Sequence, residues 1–236
     1  MNAPSDAPSA EATLTFDGEC IPFAPGETIM TAAMRAGHTV PRLCWHEGIR
    51  PVAACRLCTV HVNGRPVAAC STPAEAGTQV ECHTPALQAQ RLRLLQMLFV
   101  EGNHFCPGCE KSGHCQLQHQ AAEAGMLDLH YEALTPQRPV DASHPDVLLD
   151  TNRCILCQLC VHASGDIDGK HVFAIGGHGS ETRLMINSPT GKLGDSHLDI
   201  QDKAAQVCPV GALLPKRRGF SVPIGERSFD SEDTPS

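Results

Sequence analysis

Eleven of the thirteen cysteines fall into three groups, and their short, regular spacings are typical of metal ligands. The central group lies in the stretch 101–118, where one histidine stands two residues ahead of three cysteines: His104, Cys106, Cys109 and Cys115. Three thiolates in one loop can converge on a 4Fe-4S cluster, which needs four ligands. His104 is the nearest candidate for the fourth position, and His114 is a weaker one because it directly precedes Cys115.

The upstream group has the pattern C-x10-C-x2-C-x11-C and consists of Cys44, Cys55, Cys58 and Cys70. Plant-type 2Fe-2S proteins carry C-x4-C-x2-C followed by a distant cysteine, so this chain keeps the close pair and changes the outer gaps. A four-thiolate zinc site is the alternative, but such sites prefer two close pairs, and only one is present here. The pattern therefore favours a 2Fe-2S cluster.

The downstream group consists of Cys154, Cys157 and Cys160, followed far along the chain by Cys208. In bacterial two-cluster ferredoxins the run C-x2-C-x2-C-x3-C-P occurs twice, and the fourth cysteine of each run binds the other cluster. Position 164, where the first run would have its fourth cysteine, is a serine. The four cysteines thus predict one 4Fe-4S cluster and a second site without ligands, and they disfavour the alternative of a zinc ribbon.

Composition and charge limit the classes of partner and the cellular compartments that fit this chain. The net charge of -8 argues against nucleic acid as the main partner. The first residues lack the features of a secretory signal, and no apolar run approaches the roughly 20 residues of a membrane span. We therefore expect a cytoplasmic protein without membrane insertion. Disulfides are not expected there, and the remaining Cys20 and Cys82 are predicted to be buried, unreactive thiols.

The segments around the cysteines show strand and helix patterns. Alternating apolar residues and two-residue turns at Asp17-Gly18 and Asn63-Gly64 indicate two hairpins. The predicted strands are 12–16, 20–23, 59–62, 66–69, 171–175 and 182–186, and the predicted helices are 27–36, 85–102, 116–124 and 204–214. The last helix would carry Cys208. The fold class is therefore α+β.

The cysteine groups also divide the chain into modules. We predict a disordered N-terminus at 1–10, a 2Fe-2S ferredoxin-type domain at 11–84, a helical module with the histidine-plus-three-cysteine 4Fe-4S site at 85–140, a 4Fe-4S ferredoxin-like domain at 141–225 and an acidic tail at 226–236. The sequence has neither G-x-G-x-x-G after a strand nor a phosphate-binding G-x-x-x-x-G-K-S/T motif. We find no catalytic residues, so the chain itself is expected to carry electrons and not to transform a substrate.

With these motifs placed, the chain resembles the small iron-sulfur subunit on the diaphorase side of the cytoplasmic NAD-reducing, or bidirectional, nickel-iron hydrogenase. The resemblance covers nearly the whole chain and is carried by PRLC at 41–44, CRLC at 55–58, EGNHFC at 101–106, CEKSGHC at 109–115, RCILC at 153–157 and CPVGA at 208–212. That family is similar in turn to the N-terminal part of the large iron-sulfur subunit of complex I.

The resemblance implies a hetero-oligomer and a role in electron transfer. Electrons would pass through one 2Fe-2S and two 4Fe-4S clusters between a flavin- and NAD-binding diaphorase subunit and the hydrogenase small and large nickel-iron subunits. The complex would reduce NAD+ with molecular hydrogen or run in reverse. The first module would have a β-grasp fold. His104 would be the cluster histidine, although in complex I that histidine usually stands at the position of Gly102.

Two other functions fit the same cysteines. The first is the electron-transfer subunit of an NAD-dependent formate dehydrogenase or a complex-I-like dehydrogenase. The chain of 236 residues lacks the long molybdopterin-type domain of such large subunits, which favours the hydrogenase. The second is a zinc-binding interaction protein without redox activity. Colour separates that function from the others, because zinc is colourless in proteins and iron-sulfur clusters are brown.

Overall fold

The computed structural model describes residues 12–220 together with Pro223 and Glu226. The N-terminus predicted to be disordered lies outside these residues, and so does the predicted acidic tail apart from Glu226. The described part of the chain divides into two compact units, the first formed by 12–41 and 58–87 and the second by 42–57 and the described residues from 88 onward. Strands and helices are both present, which confirms the predicted mixed content.

The first unit is built on a five-stranded sheet and one helix. These elements are β1 (Thr13–Phe16), β2 (Glu19–Pro22), α1 (Ile29–Arg35), β3 (Thr59–Val62), β4 (Arg65–Ala68) and β5 (Gln79–Glu81). The strand order is β2-β1-β5-β3-β4, with β1 and β5 parallel and the other neighbours antiparallel. The side chains of Leu14, Phe16 and Ile21 are almost fully buried and form part of the core.

Two tight turns make the hairpins that the sequence predicts. Asp17 and Gly18 have φ angles of 48° and 89°, and Asn63 and Gly64 have φ angles of 49° and 80°. Positive φ at both central residues gives the turn whose twist matches that of paired strands. The structure thus confirms both hairpins. Strand β5 was not predicted, because its three residues are too few to show an alternating pattern.

The two cysteines outside the groups have different surroundings. Cys82 follows β5 and is fully buried, as predicted, and its N–H donates to Asp17 Oδ1 at 2.6 Å. Cys20 lies on β2 and is exposed, so the prediction of a buried thiol there is wrong. Side chains alternate between the two faces of a strand, and in β2 it is Ile21 that faces the core.

Helix α1 begins at a reciprocal cap. The Thr28 hydroxyl accepts a hydrogen bond from the Thr31 N–H at 3.2 Å, and the Thr31 hydroxyl accepts one from the Thr28 N–H at 2.9 Å. This arrangement satisfies two N–H groups that a helix start leaves without partners. The helix is shorter than the predicted range 27–36, and Ala36 is an exposed C-cap residue.

Helix α2 (Pro85–Glu101) confirms the helix predicted there. Its buried residues include Arg91 and Gln96. Arg91 Nε donates to the Leu57 carbonyl at 2.9 Å, and Gln96 Nε2 donates to the Asp128 carbonyl at 3.1 Å, so both polar groups are satisfied. Of the helices in the described part of the chain, none has the length and apolar character needed to cross a membrane.

The rest of the second unit combines short helices with two small sheets. Its elements are α3 (Gln116–Glu123), β6 (Val140–Asp141), β7 (Val147–Asp150), α4 (Leu159–His162), β8 (Phe173–Gly176), β9 (Arg183–Ile186), α5 (Lys203–Gln206) and β10 (Leu213–Pro215). One sheet has the antiparallel order β10-β7-β6, and β8 and β9 form a separate antiparallel pair. Helix α3 and the pair β8-β9 confirm the corresponding predictions.

The helix predicted over 204–214 is wrong. Helix α5 ends at Gln206, and β10 pairs with β7 in its place. Cys208 therefore lies in the irregular segment between α5 and β10. The physical reason is Pro209, because the residue before a proline is disfavoured in the helical conformation.

Ser164, at the position of the absent fourth cysteine, has a structural role. It lies in a π-helix at Ala163–Ile167 and is fully buried. Its hydroxyl accepts the Val172 N–H at 2.6 Å, and its carbonyl accepts the N–H groups of Lys170 and His171 at 2.8 and 3.0 Å. A hydrogen-bonding centre therefore replaces the ligand of a second cluster.

Replacing Ser164 with alanine should leave the buried Val172 N–H without its partner. The expected cost is about 1–3 kcal/mol in the free energy of unfolding. Denaturant unfolding followed by circular dichroism measures it, with Ser180→Ala as the control because Ser180 is exposed. Equal stabilities for the two variants would contradict the structural role of Ser164.

Candidate metal centres

Cys44 and Cys55 lie against each other in the second unit. Their Sγ atoms are 3.3 Å apart, and the Cys55 N–H also donates to Cys44 Sγ at 3.3 Å. The hydrogen bond from the Cys44 thiol is the largest cause that lowers the pKa of Cys55 to about 6. The Cys44 thiol therefore favours the thiolate form of Cys55, which is the form that binds metal.

The backbone that follows Cys55 is held in a tight loop. Arg56 has a φ of 58°, in the left-handed region. The next N–H, that of Leu57, donates to the Cys55 sulfur and helps to lower its pKa. The carbonyl of Leu57 accepts the buried Arg91 guanidinium, as described above. Hydrogen bonds to both the N–H and the carbonyl of Leu57 thus fix the loop.

Cys58 and Cys70 belong to the first unit, at the open end of the β3-β4 hairpin. Cys58 directly precedes β3, and Cys70 stands two residues after β4. Both side chains are buried, and the Ala69 N–H donates to the Cys58 carbonyl at 3.1 Å, which extends the hairpin pairing toward them. This placement agrees with the expectation that Cys70 follows the end of a hairpin strand.

The central cysteines lie in a 3-10 helix, directly after it and directly before α3. The 3-10 helix covers Cys106–Gly108, and Cys115 is the residue before α3. Burial raises the pKa of the Cys115 thiol to about 11 and also raises that of Cys106, while charge on the neighbouring cysteines acts in the same direction. The N–H groups of Leu117 and Gln118 at the start of α3 partly offset this effect at Cys115. A protonated thiol cannot bind iron, so these sulfurs need a compensating positive charge.

His104 presents a buried ring nitrogen without a partner. Its Nε2 has no hydrogen bond within the described residues, while the Leu98 carbonyl accepts the proton of the other ring nitrogen. Burial lowers the pKa of His104 to about 4, so the imidazole is neutral at pH 7. A backbone carbonyl that fixes the tautomer in this way is the usual support of a metal-binding histidine. His114, the weaker candidate, is exposed.

The imidazole of His104 also fills the space beside Gly102. A Cβ added to Gly102 would overlap the His104 ring, and the Asn152 carbonyl lies 3.2 Å from that Cβ position. The ring therefore occupies the place where a side chain on residue 102 would begin. Position 102 is where the resemblance to complex I places the histidine, so His104 brings an imidazole to the same region from two residues further along the chain.

The downstream cysteines line one cavity. Cys154, Cys157, Cys160 and Cys208 surround it together with apolar side chains such as Leu149, and its volume is about 20 Å3. Burial raises the pKa of Cys154 to about 11 and raises those of Cys157 and Cys160 further, with charge on Cys208 among the causes. The structure thus brings the four predicted ligands to one apolar site.

Backbone N–H groups point at these sulfurs. Leu156 and Gln158 have φ angles of 51° and 64°, in the left-handed region. In this conformation the N–H of Leu156 donates to Cys154, and the N–H of Leu159 donates to Cys157. Such donors stabilise negative charge on sulfur and tune the potential of a bound cluster.

Three protein families match successive parts of the chain. The 2Fe-2S iron-sulfur cluster binding domain matches residues 9–85, the iron-sulfur binding region of NADH-ubiquinone oxidoreductase G matches 91–130, and the ferredoxin-like domain of NADH-quinone oxidoreductase subunit 3 matches 144–214. These matches confirm the presence of 2Fe-2S and 4Fe-4S binding domains.

Comparison of the chain with complete proteins is more specific than the domain matches. The chain is 37% identical over 219 residues to the gamma subunit of the NAD-reducing hydrogenase HoxS of Cupriavidus necator, and covers 92% of each sequence. The chain belongs to the family of NAD-reducing hydrogenase gamma subunits. A crystal structure of an NAD+-reducing NiFe-hydrogenase in the H2-reduced state superimposes with a TM-score of 0.90 at 52% identity, covering 94% of both chains. The mitochondrial 78 kDa subunit of NADH-ubiquinone oxidoreductase from Neurospora crassa is 33% identical over 215 residues, which are 89% of this chain and 28% of that subunit.

Two residues that sequence reasoning missed contact the central group of this gamma-subunit chain. Arg153 Nη1 lies 3.5 Å from Cys109 Sγ. A Cβ added to Gly211 would come within 2.5 Å of the same sulfur, so only glycine fits there. Both residues belong to motifs of the downstream group, and their contact with Cys109 joins segments far apart in sequence. The only sequence signal was their place beside Cys154 and Cys208.

Replacing Gly211 with alanine should displace Cys109 and weaken the central site. We expect iron per chain to fall by roughly four, the content of one 4Fe-4S cluster. Gly219→Ala is the matched control, because a Cβ there meets no atom within 4 Å. Wild-type iron content in Gly211→Ala would contradict the close contact.

Proposed function

We propose that this chain relays electrons through one 2Fe-2S and two 4Fe-4S clusters inside an NAD-reducing hydrogenase. The observation that carries the proposal is the convergence of Cys154, Cys157, Cys160 and Cys208 on one apolar cavity. Four thiols gathered at such a site fit an electron-transfer cluster, which a protein keeps away from water. Iron in the clusters would supply the one-electron chemistry, and the chain would supply position, insulation and hydrogen bonds to sulfur.

The proposed ligand sets follow the three cysteine groups. They are Cys44, Cys55, Cys58 and Cys70 for the 2Fe-2S cluster; His104, Cys106, Cys109 and Cys115 for the central 4Fe-4S cluster; and Cys154, Cys157, Cys160 and Cys208 for the other 4Fe-4S cluster. For the first set the support is the sequence spacing and the 2Fe-2S domain match at 9–85. For the last set the support is the shared cavity.

His104 fits the fourth position of the central site on two observations. Its buried Nε2 is without a partner in the described structure, and its ring is neutral, so a lone pair is available for iron. An imidazole in place of a thiolate makes the cluster one charge less negative. By charge alone, such a cluster should have a higher reduction potential than one with four thiolates.

The three family matches support the proposed modules. They fall within or close to the predicted ranges 11–84, 85–140 and 141–225. We assign the first module a β-grasp fold, for which the five-stranded sheet with α1 is the support. The central module would be helical, and the last would be a ferredoxin-like α+β domain reduced to one cluster.

The proposed partners are those of the hydrogenase. A diaphorase subunit with flavin would exchange electrons with NAD+, and hydrogenase small and large subunits with nickel-iron would exchange them with molecular hydrogen. This chain would connect the two reactions without contributing a catalytic residue. Thiol ligands in these numbers need a reducing compartment, so a cytoplasmic location remains part of the proposal.

Replacing His104 with alanine should remove one ligand and damage the central cluster alone. We expect the electron paramagnetic resonance signal of that cluster to be lost or changed, while the signals of the other two clusters remain. His114→Ala is the matched control, since the His114 side chain is exposed. If His114→Ala caused the loss and His104→Ala did not, the ligand assignment would be wrong.

The partners can be tested on the complex purified without oxygen. We expect nickel to co-purify with the chain, hydrogen gas to bleach the visible absorption of the clusters, and NAD+ to restore it. Molybdenum or tungsten in place of nickel would indicate a formate dehydrogenase. Clusters that neither hydrogen nor NADH can reduce would contradict the proposed relay.

A further inference from the structure

Arg153 lies between the segments that hold the two proposed 4Fe-4S clusters. Its backbone leads directly into Cys154, a proposed ligand of one cluster. Its side chain reaches Cys109, a proposed ligand of the other, with Nη1 3.5 Å from the sulfur. The same nitrogen donates to the Gly211 carbonyl at 3.4 Å, three residues after the ligand Cys208. One side chain thus joins three ligand segments.

The position of Arg153 is fixed from its other side by Asp150. Arg153 Nε lies 3.0 Å from Asp150 Oδ2, and both side chains are mostly buried. Asp150 ends β7, and its Oδ1 accepts the Asn152 N–H at 3.0 Å, which caps the short 3-10 turn leading to Arg153. The guanidinium therefore uses separate N–H groups for Asp150 and for Cys109. Its planar fork allows this, whereas an ammonium group is a single point charge.

Two carboxylates lie beside the Arg153 guanidinium, so removing Arg153 would make the charge near Cys109 more negative. Glu110 Oε2 is buried without a hydrogen bond in the described structure and lies 3.6 Å from Arg153 Nη1. If the guanidinium were absent, the carboxylates of Asp150 and Glu110 would lose the cation that lies beside both of them. Reduction adds one negative charge to a cluster, so a nearby cation stabilises the reduced form and nearby anions destabilise it.

We propose that Arg153 is a positioning residue that holds the Cys109 thiolate and raises the reduction potential of the central cluster. This inference rests on the proposed cluster ligands and goes beyond them, because Arg153 itself binds no iron. It would act through a charge-assisted N–H···S hydrogen bond, which is stronger than a neutral one. Electron exchange between the two 4Fe-4S clusters would then depend on Arg153. This residue directly precedes Cys154, a ligand of the downstream cluster, and contacts Cys109, a ligand of the central cluster.

The test is a redox titration of the assembled complex followed by electron paramagnetic resonance. Arg153→Gln should make the central cluster harder to reduce, lowering its reduced-to-oxidised ratio at a fixed potential by at least tenfold, which is about 59 mV for a one-electron couple. Arg153→Lys keeps the charge and should give a smaller shift. Arg183→Gln removes a charge at an exposed position of strand β9 and should change nothing. The signal of the central cluster is identified by its response to His104→Ala.

Four results would decide for or against the proposal. An unchanged potential in an Arg153→Gln complex that retains all clusters overturns it, while leaving the proposed function intact. Loss of every cluster in both Arg153 variants also overturns it, because Arg153 would then be a general folding residue. Loss of only the central cluster in Arg153→Gln, with retention in Arg153→Lys, supports the positioning role. A wild-type complex without 4Fe-4S signals refutes the proposed function and this inference together.

Discussion

Burial of the cysteine sulfurs is the constraint on which the structure depends. In the central and downstream groups it raises the pKa of four of the thiols so far that none of the four would be ionised at neutral pH without a compensating positive charge. The proposed iron-sulfur clusters would provide that charge. The same burial excludes water from the sulfurs. Burial thus disfavours ionised thiols in a site without a cluster, and it would shield a bound cluster from water.

Beside the buried cysteines, the backbone adopts left-handed conformations that residues other than glycine rarely adopt. Arg56, Leu156 and Gln158 all have positive φ, and each stands inside or directly beside a C-x2-C pair. Left-handed residues are costly when the side chain is not glycine, and they persist where the surrounding structure holds them. The N–H groups of Leu57, Leu156 and Leu159 in these loops donate to sulfur. The strain is therefore placed where it gives hydrogen bonds to the proposed ligands.

The sequence predicted the elements that depend on local pattern. Both hairpins with turns at Asp17-Gly18 and Asn63-Gly64, and helix α2, follow from turn residues and apolar spacing alone. It failed where a tertiary contact decides the outcome. Strand β10 replaces part of a predicted helix because Pro209 disfavours the helix and the residues after it pair with β7, a pairing that the local sequence does not show. Cys20 is exposed because β2 turns Ile21 to the core, which reading the residue type alone did not reveal.

For the candidate sites, too, the sequence predicted what local spacing determines and missed what tertiary contacts determine. Cysteine spacing was enough to group the proposed ligands, and the shared cavity of the downstream group agrees with that grouping. The spacing could not show that His104 has an unpartnered buried nitrogen, or that Arg153 contacts Cys109 across 44 positions of sequence. Such contacts follow from the way the downstream segments pack on the central loop. Side chains that tune a site are therefore harder to predict than the ligands that form it.

The most direct test of three clusters in this chain is its content of iron, acid-labile sulfide and zinc after purification without oxygen. The account predicts about ten iron and ten sulfide per chain, the sum for one 2Fe-2S and two 4Fe-4S clusters. Zinc in place of iron, in a colourless protein, would contradict it and leave the cysteine groups as structural sites without a role in electron transfer.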